Sequence, residues 1–148
     1  MREPRTDVPA LLVKGRVAFL PADLDRRYGR DNLPDHGDLL ANLVRWAAGD
    51  AIPLTVTGKG FIDCHLYRQP GRMILHLVNL TNAGTARGPV HELIPVGPLR
   101  VRVKLEADVP GRHARRLVAR EEVRIEKAGG WASFELPSLH DHEVVVIT

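Results

Sequence analysis

Cysteine is nearly missing from this sequence: its 148 residues hold one, Cys64. A single thiol excludes an internal disulfide and a cysteine-based zinc cluster. It suits a reducing compartment, so a cytoplasmic protein is expected. Aromatics are scarce too, 5% of the chain as two Trp, two Tyr and three Phe. Trp46 falls on a predicted helix and Trp131 opens a predicted strand, so no platform of stacking rings is evident. No apolar run approaches the roughly 18 residues that span a bilayer. Met1 to Asp7 carry charge, but the apolar core of a signal peptide does not follow. Charge of one sign is lacking as well: 21 Lys+Arg stand against 18 Asp+Glu, a formal net charge of +3. Arginine is scattered from Arg2 to Arg124 with acids interleaved, unlike the one-faced charge of a nucleic-acid binder. Neither nucleic acid nor membrane is therefore expected as a partner. There is no internal repeat and no low-complexity tract.

What is present reads as globular. The hydrophobic fraction of 44% and charged fraction of 26% are near ordinary averages. A chain of this length buries about 68–70% of its unfolded surface, enough for a core without staples. The sequence divides near Asp50–Pro53. In residues 1–51, the apolar runs Val8–Val13 and Arg16–Leu20 flank Lys14-Gly15 as a hairpin. Their near-continuity predicts cover on both faces. Ala22 to Gly37 is polar, punctuated by Gly29, Pro34 and Gly37, and reads as a loop. Leu39, Leu40, Leu43, Val44 and Ala47 then recur at helical spacing, with Asp35 or Asp38 as the expected cap and Gly49 as the stop.

Residues 52–148 read as strands and turns, a β-sandwich. The candidates are Leu54–Thr57, Phe61–Arg68, Arg72–Leu80, Leu99–Leu105, His113–Leu117, Glu121–Glu126, Trp131–Leu136 and Glu143–Ile147. Pro70-Gly71 joins the second and third as a hairpin. That register sets Arg68 opposite Met73 and His65 opposite His76, with Ile62, Cys64, Leu66, Leu75 and Leu77 on the core face. The expected class is thus mainly β, a C-terminal sandwich preceded by a hairpin and one helix.

Several groups can carry chemistry. Asp23, Asp25, Arg26, Asp35 and His36 form the densest polar set, with Asp31 and Asn32 among them, between an apolar strand and a helix. Carboxylates near an Arg and a His bind sugar hydroxyls or do acid–base work; helix capping and salt bridges use the same residues. Asp63, His65 and His76 can grip a metal across a strand pair, or simply line a half-exposed sheet face. His140-Asp141-His142 has the look of a metal or acid–base cluster, with His140 and His142 facing the same way in an extended segment, but reads best as a polar turn before the last strand. Cys64 belongs to the core face and is expected to be inert. Asn79-Leu80-Thr81 matches the glycosylation pattern. Arg100, Arg102 and Lys104 make one basic strand face, solvated or meeting acidic sugars or phosphates. No cofactor and no metal is implied.

Two runs carry a resemblance. Gly15 to Arg26 (GRVAFLPADLDR) with Asp35 to Ala47 (DHGDLLANLVRWA) resembles the end of a β-galactosidase-trimerisation-like domain, of class I glutamine-amidotransferase-like α/β fold. His76 to Asn82 (HLVNLTN) with Glu92 to Pro98 (ELIPVGP) resembles the C-terminal region of a bacterial group of glycoside-hydrolase-like, α-fucosidase-like proteins. In that group a (β/α)₈ catalytic barrel comes first, then the amidotransferase-like domain, then a small β-domain. A barrel takes about 250 residues and none of it is here. The resemblance therefore implies residues 1–51 as a partial amidotransferase-like segment and 52–148 as the β-domain, with no catalytic residue carried over. The implied partner is the parent's catalytic barrel or a second copy, with carbohydrate as a further ligand. The rival readings are a carbohydrate-binding module and a free-standing enzyme using the Asp23–His36 segment.

Overall fold

A computed structural model describes residues 7–81 and 92–148 and divides the chain into two units, Met1–Ile52 and Pro53–Thr148. Met1, Arg2 and Asn82, which entered the sequence reading, lie outside the described residues.

In the first unit β1 (Leu12–Lys14) pairs with β2 (Val17–Phe19), and Lys14 faces Val17 across a two-residue turn of Gly15-Arg16. Gly15 has φ +59, the positive value a hairpin turn asks of its first central residue. The turn thus sits one residue later than Lys14-Gly15. Among the described residues the expected cover on both faces is not found: Leu12, Val13, Val17 and Phe19 are 50–68% exposed.

The segment read as a loop is largely helical, so the described residues of this unit form two helices. α1 (Leu24–Asp31) lacks an apolar stripe and carries Gly29, which hid it from a periodicity argument. Its charges are placed in keeping with a helix. Asp25 lies in its first turn and Arg30 in its last, matching the helix dipole. Asp31 accepts from Arg30 at 2.8 Å and Arg27 at 3.4 Å, and Arg30 holds the Asp31 carboxyl below its usual range. Asn32, in the left-handed region, ends α1 by donating its N–H to the Tyr28 carbonyl.

α2 (Pro34–Ala48) starts earlier than expected and without a side-chain cap. Leu33 is extended, as the residue before proline must be, and Pro34 occupies the first helical position. Asp35 sits in the first turn rather than at the cap. Gly49, with φ +61, ends the helix as its sequence position predicts. Leu43, on the predicted apolar stripe, is only half-buried, and none of the described residues of this unit is fully buried.

The second unit is a sandwich of two antiparallel sheets. β3 (Leu54–Thr57), β6 (Leu99–Lys104), β10 (Trp131–Leu136) and β9 (Glu126–Ala128) form one sheet in that order. The other runs β4 (Ile62–Gln69), β5 (Arg72–Asn79), β11 (His142–Ile147), β7 (Ala114–Arg116), β8 (Glu121–Val123). The β4–β5 hairpin has the predicted register, Arg68 on Met73 and His65 on His76. Asp108 clasps its turn, accepting from the Gly71 N–H at 3.0 Å and from Arg68 at 3.2 Å; the Gly71 contact foremost holds the Asp108 carboxyl below the usual range.

Alternation along the strands builds the core. Leu75 and Leu77 of β5, Val145 and Ile147 of β11, Leu99, Val101 and Val103 of β6, and Leu136 of β10 all lie at or near zero exposure. The run Glu121–Glu126, read as one strand, is split. β8 pairs with β7 in one sheet and β9 with β10 in the other. Arg124 and Ile125 carry the chain across, the corner by which strands change sheets in a sandwich. Leu77→Ala should cost about 2–5 kcal/mol, as truncations in a closed core do. A shift in the urea midpoint worth less than about 0.5 kcal/mol would show that Leu77 is not core.

Candidate functional site

The polar set near the first helix pair is opened rather than gathered. Asp23 precedes α1, and its carboxylate meets Arg26 at 3.5 Å with both side chains largely in water. Asp25 projects from the first turn of α1, while Asp35 and His36 belong to the first turn of α2. Asp25 and Asp35 are exposed, and His36 is half-buried with its Nδ1 enclosed and unpartnered. Only Asp23 and Arg26 are therefore joined.

On the second unit, Asp63, His65 and His76 share an outer sheet face as the register requires. His65 Nε2 lies 3.0 Å from Asp63 Oδ2, and Tyr67 stacks beside His65 and meets His76 edge-on at 5.4 Å between ring centres. Among the described residues no three His, Cys, Asp or Glu converge as a metal site. His142 Nδ1 lies 3.3 Å from its neighbour Asp141, and both are well exposed. Burial pushes the Cys64 thiol up and the Asp63 carboxylate adds to it, so the thiolate a nucleophile needs is disfavoured.

Asn79, the glycosylation-pattern residue, is 2% exposed. Its Nδ2 donates to the carbonyls of Ile94 and His140 at 2.8 Å and of Leu139 at 3.3 Å. That amide is a structural clasp and is not presented at the surface for modification.

The built concavity lies on the four-stranded sheet. Pairing aligns Thr55, Arg102, Ser133 and Glu126 in one row, and Thr57, Arg100 and Glu135 in the next. The inward neighbours Val101 and Val103 are buried, so Arg100, Arg102 and Lys104 face outward together, as the alternation predicts. With Arg124 from the sheet-crossing corner, and with Val123 and the core residue Phe134 reaching its edge, this face borders an open concavity of about 680 Å³. Arg100 Nε lies 3.6 Å from Glu135 Oε2. The Arg102 guanidinium sits 4.7 Å over the Trp131 ring, its diagonal neighbour.

The fold is found in solved structures. The α-L-fucosidase isoenzyme 2 of Paenibacillus thiaminolyticus matches 94% of this chain with a TM-score of 0.72 and 20% identity. The chain spans 22% of that enzyme's length. A cycloisomaltooligosaccharide glucanotransferase from Paenibacillus sp. matches 71% of this chain and 20% of its own, with a TM-score of 0.47 and 14% identity. No protein-family profile and no curated sequence matches the chain. Among the described residues no helix is long and apolar enough to cross a membrane.

Beyond the basic strand face, the sequence reading missed the rest of the concavity. Ser133 and Glu135 alternate with buried Ala132, Phe134 and Leu136, so their outward direction was readable. Their position beside Arg102 and Arg100 was not, because β6 and β10 are far apart in sequence and any register satisfies each strand alone.

Proposed function

We propose that this chain is a non-catalytic accessory and oligomerisation region of a glycoside-hydrolase-like protein of carbohydrate metabolism. The fold likeness carries this reading: it covers 94% of this chain and 22% of a fucosidase, the proportions of an attached part. Residues 1–51 are then the end of an amidotransferase-like, trimerisation-like domain. Two features support that assignment. The first unit buries none of its described residues fully, and its hairpin offers Leu12, Val13, Val17 and Phe19 to water. Such a surface needs a cover, which the catalytic part of the parent or a second copy supplies. The half-buried, unactivated Cys64 fits a reducing cytoplasm.

One preparation of the purified chain tests both halves of the proposal. Light scattering at micromolar concentration should show a dimer or larger species that Phe19→Asp returns toward monomer. A panel of aryl-glycosides should show no turnover. A clean monomer that resists aggregation would remove the docking role, and turnover abolished by Asp25→Asn or Glu135→Gln would make the chain an enzyme.

A further inference from the structure

We infer that the outer face of the four-stranded sheet binds an anionic oligosaccharide, one bearing uronate or sulfate groups. The charge is the first reason. Arg100, Arg102, Lys104 and Arg124 stand on or beside this face against two carboxylates, Glu126 and Glu135. Among the described residues Arg102, Lys104 and Arg124 form no ion pair, so three cations are left for a ligand. A guanidinium matches a carboxylate or sulfate through two parallel N–H donors, which a solvated lysine cannot do. The concavity of about 680 Å³ falls within the range of small-ligand sites.

The mixture of donors and acceptors chooses the class. A site for phosphate alone gains nothing from Glu126 and Glu135, which would repel it. A polyhydroxyl ligand uses them, because each carboxylate accepts sugar hydroxyls while the arginines take the anionic groups. Ser133 adds a hydroxyl that both donates and accepts. The Arg102 guanidinium, which lines the concavity, also lies 4.7 Å over the Trp131 ring, so one face of it is held by an aromatic partner. The assignment of a saccharide rests in part on the carbohydrate-enzyme reading above; the preference for negative charge rests on these side chains alone.

Calorimetric titration of the full chain with trigalacturonate tests this, with neutral galactotriose, inorganic sulfate and a single-stranded DNA oligonucleotide as comparators. Trigalacturonate should bind at least tenfold more tightly than the neutral trimer and than sulfate. Arg102→Gln should weaken it about 10- to 100-fold, the worth of a charge-assisted contact, with an unchanged melting temperature because the side chain is exposed. Arg26→Gln, on the other unit, should leave binding unchanged. No binding at millimolar trigalacturonate, equal binding of the neutral trimer, equal binding of sulfate, stronger binding of the oligonucleotide, or an Arg102→Gln variant that binds normally would each overturn the inference. Lost saccharide binding with self-association intact would remove this site and leave the accessory role standing. The reverse result would remove the docking surface and leave the site.

Discussion

Glu143→Ala should lower the unfolding free energy by about 3–5 kcal/mol, the cost of breaking a buried charge pair. Glu143 is on the inward side of β11 and is 2% exposed. Its Oε2 accepts from Arg116 Nε at 3.0 Å and from the Ala119 N–H at 3.3 Å. Its Oε1 accepts from the N–H groups of Val118 and Val144, both at 2.9 Å. One carboxylate therefore ties the β7–β8 turn to the start of β11 and neutralises an Arg116 side chain that is only 11% exposed. Alanine leaves the guanidinium and the turn amides without that acceptor. Arg116 keeps Glu121 at 2.9 Å, so the loss is not total. The urea midpoint of the variant measures it, and the Glu143→Ala, Arg116→Ala cycle isolates the pair. The double variant should lose less than the sum of the singles. Strict additivity, or a loss under about 1 kcal/mol, would show that the carboxylate is not the anchor.

Asn79→Asp should be almost as damaging at neutral pH, about 3 kcal/mol or more, since it aims an ionised acceptor at carbonyl oxygens in a buried site. The native amide gives its hydrogens to Ile94, Leu139 and His140 and accepts the Thr81 N–H at 3.0 Å. This clasp holds the chain before β11 against the end of β5. In the variant, burial and the facing carbonyls raise the new carboxyl above its unfolded value near 3.9. Between those two values the folded state binds more protons than the unfolded one, so stability rises as pH falls. The deficit should be largest near pH 7 and shrink steadily toward pH 4. Denaturation midpoints at several pH values, each relative to the parent chain, read it directly. A deficit independent of pH would mean that the Asn79 amide does not donate to these carbonyls.

Both residues show where local pattern stops informing. Glu143 sits in an alternation with Val145 and Ile147 that points it inward, and a carboxylate there looks like a strand end until Arg116 is placed beside it. Asn79 matched a modification pattern over three residues, yet the carbonyls to which its amide donates are 15 to 61 positions away. Helix α1 was missed for a different reason. Its sequence is mostly charged, with pairs such as Arg30–Asp31, and apolar periodicity is blind to such a segment.

The sequence by itself determined most of the strands, the β4–β5 hairpin and its register, the end of α2 at Gly49, and the basic side of β6. Each follows from short-range rules: a period of two, a two-residue turn, a residue that tolerates positive φ. Tertiary structure alone decided which strands share a sheet, that Glu121–Glu126 breaks to serve both, and that Arg100 and Arg102 meet Ser133 and Glu135 around one concavity. It also decided that the Asp23–His36 set is spread along two helices. Pairing between distant strands is selected by the total burial of the two faces, a quantity summed over the whole chain, and no local stretch of sequence contains it.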